Sequence, residues 1–367
     1  MTTPTEKHSP TVPIEVANIQ LALASFTKAK VETLDIPMAY INAMLKEGRR
    51  QVMRIPKHIV NLMLEIDPSK RQYLQQDGTM LVEVIRALYG FPESAKLWNE
   101  LITDTLKKGG YKQCPVEPCL FRRHIDSECW SVLTIYVDDC LHIYKSMKMK
   151  TELLSMLKRA KLPDPTVQEL SINNDISYLG INIEMKASNE FALSQPGFVD
   201  DIIEKHPPER EYRTPHTENL INRPADEDKR LIPNITKFLS LLMKLMFLAT
   251  RTRPDILLAV CSLATKSKEP TYADAALLDR VVGYLKFTRN LKLICKVVSL
   301  IIKCYLDAAH AVYKDMRGIN GIYIAMGDNG FPLMCRSSKQ KSPYPSSTHA
   351  ELSCLFAGCD LILYIRR

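Results

Sequence analysis

The sequence predicts an α+β fold, and three observations carry that expectation. Two β-rich runs, 130–136 (WSVLTIY) and 140–144 (CLHIY), face each other across three residues, which is hairpin spacing. Residues 94–108 (SAKLWNELITDTLKK) repeat apolar side chains at helical period. Residues 236–250 and 273–288 are strongly helical.

In chain order, 15–33 reads as a helix from Val16, Ile19, Leu21, Leu23 and Phe26, and Leu34–Tyr40 as a strand or strand end. In 94–108, Ser94 is the expected N-cap and Gly109-Gly110 the stop. Residues 151–160 make a short helix, followed by a loop at 161–165 (KLPDP). Ile176–Met185 and Phe191–Ser194 read as two strands around a polar turn, and Gly197–Lys205 as a helix. The stretch from His206 to Pro233 is rich in proline and charge and reads as a linker or surface excursion. Beyond the two long helices, 297–306 is a buried-strand candidate, 319–326 and 331–335 are further strands, and 348–365 is a helix.

Composition bounds the class. A chain of 367 residues has room for two or three domains, and 46% hydrophobic with 25% charged residues is ordinary for a globular protein. No window holds 18 uninterrupted apolar residues, and the polar opening MTTPTEKHSPTVP lacks a signal-peptide core. The expectation is a soluble chain in the cytoplasm or nucleus, with no membrane partner. A net charge of +8 permits a polyanionic partner without requiring one. The ten cysteines read as reduced thiols. Cys114, Cys119, His124 and Cys129 recur every five residues, but a zinc knuckle is spaced more tightly, so core cysteines are the expectation. The basic run Lys145–Lys150 reads as a solvated turn.

The chemistry concentrates at Tyr136-Val137-Asp138-Asp139. On a regular strand adjacent aspartates point to opposite faces, whereas a turn lets both approach one point. Paired carboxylates between apolar strands are unfavourable without a cation, and two-metal nucleotidyl transfer needs such convergent oxygen ligands.

This stretch resembles the catalytic hairpin of retroelement reverse transcriptases, and the ordered matches around it resemble the copia-type layout. Leu34-Asp35-Ile36-Pro37-Met38-Ala39-Tyr40-Ile41 is similar to the family's upstream carboxylate segment. The resemblance implies that Asp35, Asp138 and Asp139 are catalytic and bind two Mg²⁺, or Mn²⁺. It also implies that Tyr40 gates the sugar, and that Tyr136 and Glu93 lie at the substrate. Glu93 falls in Leu88-Tyr89-Gly90-Phe91-Pro92-Glu93, where the family pattern has Gln; a carboxylate only accepts hydrogen bonds, whereas an amide also donates. Tyr178-Leu179-Gly180-Ile181, Leu193-Ser194-Gln195, Arg213-Thr214-Pro215 and Thr252-Arg253-Pro254-Asp255 continue the layout, with Arg253 and Asp255 expected to pair. Tyr305-Leu306-Asp307, Arg336-Ser337-Ser338-Lys339-Gln340 and Ser347-Thr348-His349-Ala350-Glu351 resemble the start of a ribonuclease H domain, implying vestigial metal ligands Asp307 and Glu351.

The implied architecture is a right-hand polymerase with partial fingers and palm over 1–205. A linker and helical connection follow over 206–296, then a truncated ribonuclease H-like domain without nuclease activity over 297–367. The implied function is RNA-directed DNA synthesis. Its partners would be an RNA or DNA template-primer, dNTP and element-encoded proteins such as capsid and integrase. The alternative is a catalytically inactive retroelement remnant that at most binds nucleic acid.

Overall fold

The computed structural model describes residues 9–45, 51–187, 189–220 and 227–366. Part of the polar opening and residues 221–226 of the proline-rich excursion lie outside the described residues.

Helix α1 (Ile14–Thr27) is apolar on most sides because it is buried on most sides. It stops short of the expected residue 33. Lys28 takes the left-handed conformation (φ 54°), and the Ala29 N–H closes on the Ala24 carbonyl at 3.1 Å. The chain then enters strand β1 (Lys30–Asp35), so the strand expected from Leu34 begins four residues earlier. A single helical turn, α2 (Ala39–Asn42), follows. Strands β2 (Gln51–Ile55) and β3 (Met80–Val84) pair as a separate ribbon, with helix α3 (Lys57–Ile66) between them in the chain.

Helix α4 (Ser94–Lys108) has the expected bounds. Ser94 does not cap it, however: its hydroxyl donates to the Leu88 carbonyl at 2.6 Å. Strands β4 (Lys112–Gln113), β5 (Leu120–Asp126), β6 (Cys129–Tyr136) and β7 (Asp139–Tyr144) lead to helix α5 (Met147–Arg159) and strand β8 (Thr166–Glu169). Helix α5 begins earlier than 151, because the Ser146 hydroxyl accepts the Lys148 N–H as an N-cap. The Lys145–Lys150 run is therefore mostly a first helical turn rather than a solvated loop. These strands form a six-stranded sheet in the order β4-β5-β6-β7-β1-β8. Helices α4 and α5 cover one face through Trp98, Ile102, Leu106 and Leu153. Helix α1 covers the other, packing Leu21 and Ala24 near Val31, Leu141 and Ile143.

The segment expected as one strand over 176–185 is two, β9 (Ile176–Tyr178) and β10 (Ile181–Ala187). Leu179 and Gly180 break it, both at positive φ (49° and 78°). With β11 (Glu190–Ser194) they form a second sheet. Helices α6 (Pro196–Lys205), α7 (Ile235–Ala249), α8 (Leu257–Ala264) and α9 (Tyr272–Phe287) cluster around Leu242, Leu245, Ile256 and Val281. Strand β12 (Leu293–Cys295) then completes the sheet in the order β12-β11-β10-β9. Arg253 pairs with Asp255 at 2.8 Å, and Pro254 opens the short turn into α8.

The last unit is an antiparallel sheet of β13 (Ile302–Ala309), β14 (Ile319–Met326) and β15 (Phe331–Lys339), with helix α10 (Ser347–Arg366) on one face. The strand expected over 297–306 is shifted to 302–309. Gly358 allows α10 to lie close: a Cβ there would stand 2.6 Å from the Leu306 side chain. By length and composition α10 could cross a membrane, which corrects the expectation that no helix qualifies. In the structure it rests on the sheet through Ala350 and Cys354.

Candidate active site

Strand pairing builds the site. Asp35 ends β1 and Asp139 begins β7, and they are register partners. Tyr136 pairs with Asp139 across the hairpin, which leaves Val137 and Asp138 as a two-residue turn. Val137 sits at φ 59°, an outlier for a β-branched residue. Two bonds hold the turn there. The Trp98 indole N–H donates to the Val137 carbonyl at 2.6 Å, and the Ile36 N–H donates to the Asp138 carbonyl at 3.0 Å. Trp98 is otherwise buried in the core, and its polar edge fixes this turn.

The electrostatics follow from crowding. The Asp139 carboxyl is pushed up to about 6: burial is the main cause, the neighbouring Asp138 and Asp35 add to it, and the Leu179 N–H opposes the shift by donating to the carboxylate. The turn at Leu179-Gly180 thus serves the carboxylates. Among the described residues none of the three aspartates has an ion-pair partner. An all-oxygen, uncompensated set suits a hard divalent cation such as Mg²⁺. Among the described residues no three His, Cys, Asp or Glu side chains are grouped closely enough to hold a metal ion, so the three aspartates do not form a preassembled metal site.

Tyr40 lies on α2, its ring tilted against Tyr89 at 4.8 Å between centroids. Burial raises its pKa first, and then Asp138, Tyr89 and Tyr136, so these groups share one neighbourhood. Tyr136 is 37% exposed beside the turn. Arg251, unforeseen in the sequence, is half-buried over the Phe247 ring; burial lowers its pKa and nearby Tyr136 opposes that shift. Glu93 is the N-cap residue of α4, five residues before Trp98.

Asp307 and Glu351 lie elsewhere. Asp307 is exposed on β13, lining a cavity of about 620 Å³ with Tyr305 and Tyr323. Leu306 and Ala308, its strand neighbours, belong instead to the core under α10. Glu351 is exposed on α10 just past its first turn, three residues before Cys354, whose thiol donates to the Asp307 carbonyl at 3.3 Å. The two segments are therefore adjacent. Cys119 is a core residue beside Val12 and Val16.

The sequence model of the family described as reverse transcriptase (RNA-dependent DNA polymerase) matches residues 4–212, more than half of the chain, and the chain belongs to that family. The transposon Ty5-1 protein of Saccharomyces cerevisiae is 30% identical over 335 residues, covering 87% of this chain and 96% of the yeast protein. The retrovirus-related Pol polyprotein from transposon TNT 1-94 of Nicotiana tabacum is 24% identical over 358 residues, 94% of this chain and 25% of the polyprotein. The chain is the reverse transcriptase region of a copia-type retrotransposon.

Proposed function

We propose that the chain is an RNA-directed DNA polymerase that extends a primer 3′-end with dNTPs on an RNA or DNA template. The observation that carries this reading is the register pairing of Asp35 with Asp139, with Asp138 in the adjoining turn. In this reading residues 1–205 supply fingers and palm, the six-stranded sheet being the palm. Residues 206–296 are linker and connection, and 297–367 form a ribonuclease H-like sheet, with Asp307 and Glu351 as metal ligands of that domain.

Asp35, Asp138 and Asp139 would hold two Mg²⁺ or Mn²⁺ ions, which activate the 3′-hydroxyl and neutralise the leaving pyrophosphate. Trp98 and the Leu179 N–H keep the turn and Asp139 in place. Tyr40, braced by Tyr89, would exclude a ribose 2′-hydroxyl. Phosphate contacts would dominate template-primer affinity and make it salt-dependent. Within the element, capsid and integrase would be companion proteins.

A second reading keeps the fold and nucleic-acid binding without catalysis. It is favoured by Glu93, an acceptor-only carboxylate where the family pattern has an amide. Primer extension on poly(rA)/oligo(dT) with Mg²⁺ separates the two. Incorporation that Asp138→Asn abolishes supports the polymerase; no incorporation by folded wild-type protein overturns it.

A further inference from the structure

Behind the carboxylate turn, on the opposite face of the same strands, lies a polar cluster that the polymerase reading does not use. Glu32 and His142 are both 0% exposed, and they are register partners in β1 and β7. His142 Nδ1 lies 2.9 Å from Glu32 Oε1. A carboxylate can only accept, so Nδ1 carries the proton; burial holds the ring neutral, with its pKa lowered. Nε2 is buried without a partner. On the other side of β1, Glu32 is the register partner of Glu169 in β8. Like charges opposite each other on a sheet repel. Lys150 of α5 bridges them, 2.6 Å from Glu32 and 3.0 Å from Glu169. Lys30 closes the set on Glu169 at 2.9 Å.

This row has a consequence for alignment. The ladder that pairs Glu32 with His142 also pairs Asp35 with Asp139, three residues along. Apolar patterning resists a one-residue slip, because such a slip turns every side chain to the other face. It does not resist a slip of two, which keeps every face. A two-residue slip would set Asp35 against Val137 or Leu141, out of reach of its partner. It would also set Glu32 against Cys140 or Tyr144 in place of His142, so that the buried carboxylate and the buried imidazole lose the hydrogen bond they make to each other, which is unfavourable for buried polar groups.

We propose that the buried row His142–Glu32–Glu169, bridged by Lys150, fixes the register that places Asp35 opposite Asp139, and that Glu32, His142 and Lys150 are positioning residues for the carboxylate site. The link to the site rests on the three aspartates being the metal ligands; the register claim stands without it.

The register is read by cross-linking. Leu34 and Cys140 are register partners, and Cα atoms of directly opposed strand residues fall within disulfide range. In Leu34→Cys protein, diamide should join the new thiol to Cys140, mapped by mass spectrometry. Adding Glu32→Leu with His142→Leu removes the pair but leaves Lys150 on Glu169. We expect this protein to fold by circular dichroism and to lose most of the cross-link. In the Leu34 background without the added thiol, the double substitution should weaken Mn²⁺ binding, read by electron paramagnetic resonance, by about tenfold or more. Glu32→Gln, which keeps an acceptor for His142, should preserve both readouts. Should the double substitution fail to fold, Lys150→Met carries the same comparison. A folded variant that cross-links as fully as its parent overturns the proposal. A cross-link in the Leu34→Cys protein together with no Mn²⁺ binding by wild-type protein overturns the metal-ligand reading and leaves the register claim standing.

Discussion

At the scale of single residues, Asp139 is the most informative group. Its folded pKa is about 6, against an ordinary 3.8, so the folded chain holds this proton more tightly than the unfolded chain. The associated stability is full below the ordinary value and is lost as pH rises toward the folded one. Thermal melts of metal-free protein between pH 4 and pH 7 should therefore show a downward contribution that Asp139→Asn removes. Identical pH slopes for the two proteins would refute this. Trp98→Phe keeps the ring but loses the bond to the Val137 carbonyl. That should lower stability by about 1 kcal/mol, measured by urea unfolding, and reduce primer extension more than stability, because a turn at positive φ loses its clamp.

At the scale of elements, caps and close approaches dominate. Helix α9 opens with a reciprocal capping box between Thr271 and Asp274. Thr271→Ala should cost about 1 kcal/mol in chemical denaturation. Within that helix, a Cβ on Gly283 would stand 2.3 Å from the Arg210 carbonyl oxygen, a backbone atom that cannot swing aside. Gly283→Ala should lower stability by about 1–3 kcal/mol, and an unchanged melting temperature would show that the 206–212 segment does not pack there as described. Elements held by local sequence were legible: α4 from its apolar spacing, and the β6–β7 hairpin from the β-rich runs beside Asp138-Asp139. The end of α1 was not, because Lys28 takes a left-handed cap that glycine usually marks. Nor was the Glu32–His142 pair, whose partners lie 110 residues apart and whose meeting depends on strand order. In the candidate site, the family resemblance singled out the aspartates and Tyr40. The groups that hold them, Trp98 and the Leu179 N–H, are set by tertiary contact.

At the scale of the whole molecule, three of the four sheets among the described residues share a helix. Helix α1 packs on β6 and β7, on β11 and β12, and on β15. Its Asn18 side chain donates to the Leu333 carbonyl at 3.3 Å, and the Val297 N–H donates to its Ser25 hydroxyl at 2.8 Å. The proposed boundary at residue 296 is thus not a line along which the molecule separates. A chain ending there should expose the face of α1 that meets β15, and so bind the dye ANS and melt at a lower temperature than the full chain. Equal melting of the two would argue for independent domains.

The position of α1 also sets a timetable for biosynthesis. This helix leaves the ribosome early, yet the Leu333 carbonyl that receives Asn18 is made 315 residues later. At roughly 5–20 residues per second, that is an interval of roughly 15–60 s in which the side of α1 that meets β15 has no final neighbour. A nascent chain of this kind is a natural client for holdase chaperones, and slowing translation should lengthen that dependence.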